Sequence, residues 1–350
     1  MTTTASIEEI DPEELAVGAI GTILLVAAFG AFLTVPSMTK WFLLAFAVAS
    51  LVGLYARQAT TVKFLMLVAT VSTVVILGLI TVYLVWTAIP VVVHMGPDIF
   101  LQWSEPFWDT GAGYYSLFPM MWGTFVTTII ATLIAAPLGV AGAVFISELA
   151  PGSVREVVKP GVEMLAGIPS IVYGYIGYTV LNPYMINELN VPKFGSLFIT
   201  GLVIGIMALP TVVSVAEDAI ASVPSPMKDG ALALGATDWQ TTTSVTLPAA
   251  FSGISAAVLL GIGRAVGETM AATVILGNVV QLPQPLIDVF GNTITLTSLI
   301  ASQYGPATGD EYHMSALFAA GVVLFVTVMA MSLTSQYIER RMRQRLGGAT

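Results

Sequence analysis

The sequence predicts an all-α polytopic membrane protein of about eight transmembrane helices, and three observations predict it. Of its 350 residues 56% are apolar and 9% are charged, whereas a soluble domain carries about a quarter charged residues. Mean hydropathy is +0.88. The apolar residues fall into runs near the roughly 20 that a bilayer core requires, separated by helix breakers and polar clusters.

The spans follow in order. The window 15–35 comes after the acids Glu8, Glu9, Asp11, Glu13 and Glu14 and stops at Pro36-Ser37. No base precedes Lys40, so the basic region of a secretory signal is lacking and the N-terminus is expected to be retained. The window 41–56 is short and ends at Arg57-Gln58. The third, 62–93, stops before Pro97-Asp98, and an aromatic loop with Trp103, Trp108, Tyr114 and Tyr115 follows. That loop reads as an interfacial belt or as a surface that receives an external partner. Windows 120–148, 162–181 and 196–216 end at Pro151-Gly152, Asn182-Pro183 and Pro224-Ser225-Pro226. They carry Pro137, Pro169 and Pro210, each of which removes a backbone hydrogen bond and bends or breaks its helix. Window 249–277 is followed by Gly305-Pro306, and 314–336 closes the series.

Residues 1–60 read as an acidic start with a helical hairpin, 61–118 as a first core helix with an external loop, 119–340 as the working core, and 341–350 as a basic tail. Bases orient the stack. Arg340, Arg341, Arg343 and Arg345 place the C-terminus in the cytoplasm. Counting back puts Lys228, Arg155 with Lys159, and Arg57 with Lys63 inside, and leaves Lys40 and Lys193 on the wrong side. The loops 94–119 and 278–313 hold no Lys or Arg and face outward. With eight spans the N-terminus is also inside, and it flips if the short second window does not cross.

Composition excludes several chemistries. There is no cysteine, which removes disulfides, thiolate catalysis and Cys-ligated metals. His94 and His313 are too few for a metal cluster. No GxxxxGK[ST] loop occurs, so the chain is not expected to hydrolyse ATP. Net charge is −9 with five lysines, a balance that resembles proteins of salt-loving microbes and suits no nucleic-acid partner. No repeat or low-complexity tract is visible.

Within the spans, Arg264 and Glu268 form the one opposite-charge pair, four residues apart and so on one helix face. A charge near the bilayer centre costs about 2.5–3.5 kcal/mol on insertion scales. Two readings stand: an anion path in which Glu268 holds the Arg264 guanidinium, whose planar fork suits phosphate oxygens, or a structural ion pair. Gly263 and Gly267 make a GxxxG step expected to serve helix packing. The Gly167-Ile168-Pro169-Ser170 turn with Tyr173 is the candidate gate, so Ser170 and Tyr173 join the expected substrate pathway. Glu148, Glu163, Glu217 and Asp218 are adequately explained as solvated helix ends.

One segment outside the spans stands apart: DGALALGATDWQTTTSVTLP, residues 229–248. It reads as a short surface helix with Asp229, Gly230 and Ala231 at its start, Gly235 and Ala236 at its turn, and Leu247-Pro248 where the next span begins. This spacing resembles the loop by which permeases of ATP-binding-cassette importers dock onto their ATPase. The blocks LIAAPLGVAGAVFISELAP (133–151), LAGIPSIVYGYIG (165–177) and AAFSGISAAVLLGIGRAVGETMAATVILGN (249–278) resemble permeases of phosphate ABC importers. GRAVGETMA, 263–271, is similar to the C-type subunit of that family. The resemblance runs from about residue 62 to 345. Two features depart from it: Asp229-Gly230 stands where Glu-Ala is more usual, and the hairpin before residue 62 is extra.

The resemblance implies a type I importer of inorganic phosphate in the plasma membrane. This chain would pair with a second, homologous permease as a heterodimer. Two copies of an ABC ATPase would hold ATP and Mg, with no cofactor on this chain, and an external phosphate-binding protein would deliver the anion. The docking loop does not by itself separate phosphate from molybdate, sulfate, amino acids or betaine; only GRAVGETMA leans to phosphate. An ATPase-independent ion-coupled carrier would predict ionisable relays in several spans and inverted repeats, which the sequence lacks.

Overall fold

The computed structural model describes residues 12–191 and 194–345. The acids Glu8, Glu9 and Asp11, the loop base Lys193 and the last five residues of the 341–350 tail lie outside them. The helices begin with α1 (Pro12–Thr34), α2 (Pro36–Ala56) and α3 (Gln58–Met95), then the single turn α4 (Asp98–Leu101). After a two-stranded hairpin come α5 (Phe118–Val144), α6 (Gly152–Ala166), α7 (Ser170–Ile176), α8 (Asn182–Leu189) and α9 (Leu197–Ala221). The chain continues through α10 (Ser225–Ala233), α11 (Asp238–Thr241), α12 (Leu247–Val266), α13 (Met270–Leu276), α14 (Leu296–Gln303) and α15 (Glu311–Arg345). Three π-helical turns, Phe145–Leu149, Gly177–Leu181 and Thr242–Thr246, follow α5 and α7 and precede α12.

Among the described residues six helical stretches are long and apolar enough to cross a bilayer: Pro36–Ala56, Gln58–Met95, Phe118–Leu149, Leu197–Ala221, Asp238–Val266 and Glu311–Thr334. The chain is therefore a multi-pass membrane protein. One of the eight expected spans differs. α1, Pro12–Thr34, covers all but the last residue of the expected window 15–35, with Gly18–Thr34 an apolar stretch within it. The expected span 162–181 is two helices, Gly152–Ala166 and Ser170–Leu189, bent by 88°. Gly167 ends the first, and Pro169, which lacks an N–H and holds an extended backbone, opens the second. Pro137 and Pro210 behave otherwise, because α5 and α9 run on through them.

The chain divides into two compact units, Met1–Tyr83 and Leu84–Thr350. The division falls inside the continuous α3. In the first unit α1 lies along α2, Gly21 makes room for the Phe64 ring, and Gly53 for Thr61. α2 buries no residue.

In the second unit α9 is central, with 61% of its apolar window buried. It is crossed by α5 and α12, and small residues set the close approach. A Cβ on Gly139 would meet Val212 at 2.7 Å, and one on Gly201 would meet Ile130 at 2.6 Å. On α12, Gly253 faces Ala219 and Gly261 faces Val212. At one end of this bundle Ala143, Val144, Ala216, Ile220 and Ala250 form an apolar cluster that joins α5, α9 and α12.

The aromatic loop has a packed part and an exposed part. Strands β1 (Trp108–Asp109) and β2 (Tyr114–Tyr115) pair antiparallel, Trp108 opposite Tyr115. Asp109 Oδ1 accepts from the Gly111 and Ala112 N–H groups at the turn. Trp108 packs edge-on to Tyr115, and Tyr115 stacks on His313 at 5.7 Å. Tyr115 is buried, and burial, with Asp310 and Asp109 nearby, holds its hydroxyl above the usual tyrosine range. Trp103 and Tyr114 remain exposed.

Candidate functional site

The 229–248 segment is a helix, a turn and a second helix start. Pro224 opens α10. Gly235, at φ +90°, closes it: its N–H donates to Leu232 O at 2.9 Å and the Ala236 N–H to Ala231 O at 3.1 Å. These two bonds make a Schellman motif, in which a left-handed residue satisfies the last helical carbonyls. Thr237 then caps α11. Its Oγ1 accepts from Gln240 N and the Gln240 side chain accepts from Thr237 N. This capping box was legible as T-x-x-Q, although sequence reading passed over it. Leu247-Pro248 begins α12 directly after the π-helical turn Thr242–Thr246.

Asp229, Gly230 and Gly235 are exposed, and Ala231 and Ala236 are half-buried. α10 as a whole buries nothing, and a Cβ on Gly230 would meet no atom within 4 Å. Leu234 is 91% exposed, and Met227, Leu232 and Trp239 are also exposed. Large apolar side chains left exposed beside polar ones in so short a segment make it a candidate interaction surface.

The acids near this segment are paired, contrary to the expectation of solvated ends. Glu148 Oε1 accepts from Lys228 Nζ at 2.7 Å. Glu217, 6% exposed, accepts from Lys159 Nζ at 2.6 Å, with Asp218 at 3.9 Å from the same amine. Arg155 donates to the carbonyls of Ile146 and Ser147. Sequence reading missed this network because its partners lie 80 and 58 residues apart.

Arg264 and Glu268 do not share a helix face. α12 ends at Val266 with Gly267 as its C-cap, and α13 starts at Met270, so the four-residue spacing straddles a break. Among the described residues they make no ion pair with each other. Arg264 Nη1 donates to Thr211 Oγ1 of α9 at 3.2 Å. Glu268 Oε1 accepts from the Ala271 N–H at 3.1 Å and caps α13, and its main-chain carbonyl accepts from Thr297 Oγ1 at 2.6 Å. A carboxylate at the start of a helix is stabilised by the exposed N–H groups.

The two breaks, 167–169 and 267–269, face each other through their following half-helices. A Cβ on Gly174 of α7 would lie 2.8 Å from Ala271 Cα of α13, and Gly177 abuts Ile275. Ser170 opens α7. Tyr173 Oη donates across the first break to Leu165 O at 3.0 Å. The structure thus brings Arg264 to Thr211, with Glu268 turned to its own helix. Among the described residues, a Cβ on Gly263 would meet no atom within 4 Å, and one on Gly267 would meet only carbonyls of its own helix. No cluster of metal-ligating side chains occurs among the described residues.

Residues 135–344 match the family model described as the binding-protein-dependent transport system inner membrane component. The Haemophilus influenzae phosphate transport system permease protein PstC is 37% identical over 262 residues, 69% of this chain and 82% of that protein. The Methanocaldococcus jannaschii probable phosphate transport system permease protein PstC is 31% identical over 311 residues, 83% of this chain and 96% of that protein. The Bacillus subtilis probable ABC transporter permease protein YqgH is 41% identical over 65% of this chain and 72% of its own. In fold, a chain of the crystal structure of a bacterial alginate ABC transporter, in complex with its pentasaccharide-bound periplasmic protein, covers 80% of this chain at TM-score 0.55 and 17% identity. The family match, residues 135–344, spans the broken helices and the 229–248 segment alike, and this chain belongs to the family of binding-protein-dependent transport system inner membrane components.

Proposed function

We propose that the chain is the C-type permease subunit of an ATP-driven importer and that its cargo is inorganic phosphate. The observation that carries the cargo is the 37% identity over 262 residues to a phosphate transport permease. The observation that supports the energy source is α10, a helix with no buried residue and an apolar tip at Leu234, held out where a partner's cleft can take it. Two copies of an ABC ATPase bind ATP and Mg and close on this helix and its counterpart in a second, homologous permease. An external phosphate-binding protein presents the anion from the other side.

The side assignment rests on the bases. Lys228, Arg155 and Lys159, which loop counting puts inside, gather at one end of the bundle, on Glu148, Ile146, Ser147 and Glu217. That end, with α10 and the C-terminus, is cytoplasmic. The anion passes near the facing breaks. Arg264 lowers the electrostatic barrier there, and Thr211 orients its guanidinium in place of the expected Glu268. Tyr173, bonded across the first break, holds the α6–α7 bend that gates the path. Gly263 and Gly267, which leave an open face on α12, are the approach surface for the second permease.

The test is phosphate uptake into proteoliposomes holding the whole complex, with the binding protein outside and ATP inside. Uptake should require ATP and saturate with phosphate before molybdate or sulfate. Uptake with no ATPase and no nucleotide would replace this reading with an ion-coupled carrier. Arg264→Ala should cut uptake about tenfold, the size of one desolvated charge–anion contact, with complex assembly intact. Loss of assembly instead would make Arg264 a structural residue.

A further inference from the structure

We propose that the Lys228–Glu148 ion pair is the strut through which displacement of α10 enters the helical bundle, so that these are positioning residues for transport. The inference rests on the reading of α10 as an ATPase-docking helix.

Beside α10 lie α11 and the π-helical turn Thr242–Thr246, both near it in sequence. α10 buries no residue, and the hydrogen bonds at its ends are local, from Met227 N to Pro224 O and within the Gly235 turn. Among the described residues, Lys228 is the α10 side chain whose ion pair reaches a distant helix, 2.7 Å to Glu148 Oε1 across 80 residues of sequence. The pair is largely shielded, with 23% of the Lys228 and 13% of the Glu148 side chain exposed, so salt screens it little. Breaking it would leave a half-desolvated charge behind.

Glu148 is also badly placed without a cation. It sits in the π-helical turn that ends α5, where unpaired carbonyls already present negative partial charge. Arg155 Nε takes the Ile146 carbonyl at 2.6 Å, its Nη2 takes Ser147 O, and Ser147 Oγ donates to the same Glu148 oxygen at 3.2 Å. The α9 end repeats the scheme: Glu217 and Asp218 receive Lys159 of α6, a helix that likewise buries no residue. Two bare helices are thus pinned by cations to the acid-bearing ends of the two packed ones. From there contact is continuous. Gly139 of α5 lies on Val212 of α9, and the neighbouring Thr211 holds Arg264.

The experiment uses the complete complex with its ATPase in proteoliposomes and compares Glu148→Gln, Lys228→Met and the swap that combines Glu148→Lys with Lys228→Glu. Two quantities are read: ATPase retained on the purified complex, and phosphate moved per ATP hydrolysed. Each single variant should retain the ATPase and lose about tenfold in phosphate per ATP, within the range of coupling contacts. The swap, which puts a cation at the α5 end where the helix dipole favours it, should recover roughly half of the wild-type ratio or more. A merely structural pair would lower the yield of complex and leave the ratio unchanged, and an unchanged ratio in both single variants overturns the strut. Loss of the ATPase from Lys228→Met alone overturns it too, by placing Lys228 in the docking contact. If the wild-type complex itself retains no ATPase, the docking reading has failed and the strut falls with it.

Discussion

Helices α2 and α10 share one property and differ in its meaning. Neither buries a residue. α2 is 21 residues of mostly large apolar side chains, Trp41, Leu44, Val48 and Leu51 among them, all exposed. α10 is nine residues in which Lys228 and Asp229 sit beside Met227 and Leu232. Hydrocarbon solvates the first surface without cost. No bulk solvent suits the second: it is too polar for lipid, and Leu234, which follows it at 91% exposure, is too apolar for water. Exposure therefore points to a protein partner at α10 and to lipid at α2.

The comparison breaks or sharpens at four positions. The largest effect is expected at Gly235, whose φ of +90° strains any β-branched residue by about 1–2 kcal/mol. Gly235→Val should abolish most coupling, read as ATP hydrolysis without phosphate uptake; unchanged coupling would remove the docking role of the turn. Next come matched serines. Leu234→Ser should weaken ATPase binding about tenfold, since burying a Leu against a partner contributes roughly 1.5–3 kcal/mol, whereas Leu51→Ser should leave that affinity untouched. Equal losses from both would erase the distinction between the two surfaces. The smallest effect is expected at Gly230, where a Cβ meets open space. Gly230→Ala should leave ATPase affinity within about twofold and firm up α10 by up to roughly 1 kcal/mol. A large loss of affinity there would mean that the partner's cleft is shaped for glycine alone.

Legibility in the sequence tracked how local each feature is. The turn at Gly235 and the start of α12 at Pro248 were readable because caps and proline positions depend on residues within one helical turn. The break at Pro169 was readable only in part, because the same rule applied equally to Pro137 and Pro210, through which α5 and α9 continue. The Arg264–Glu268 pair was misread because helical spacing was assumed across Gly267, where α12 in fact ends. GxxxG at Gly263 and Gly267 suggested close packing, yet within this chain that work falls to Gly139, Gly201, Gly253 and Gly261. Nothing in a linear pattern says which small residue will find a neighbour.

The sequence by itself determined that the chain lives in a membrane, roughly where its helices run, and which polar segment stands outside them. Hydropathy, breakers and caps are one-dimensional quantities, summed over a few neighbouring residues. Only the tertiary structure decided that Arg264 would hold Thr211, that Glu268 would cap α13, and that Glu148 and Glu217 would be paired rather than solvated. The free energy of a partly buried charge depends on what three-dimensional packing sets within a few ångströms of it, and those neighbours come from distant parts of the chain.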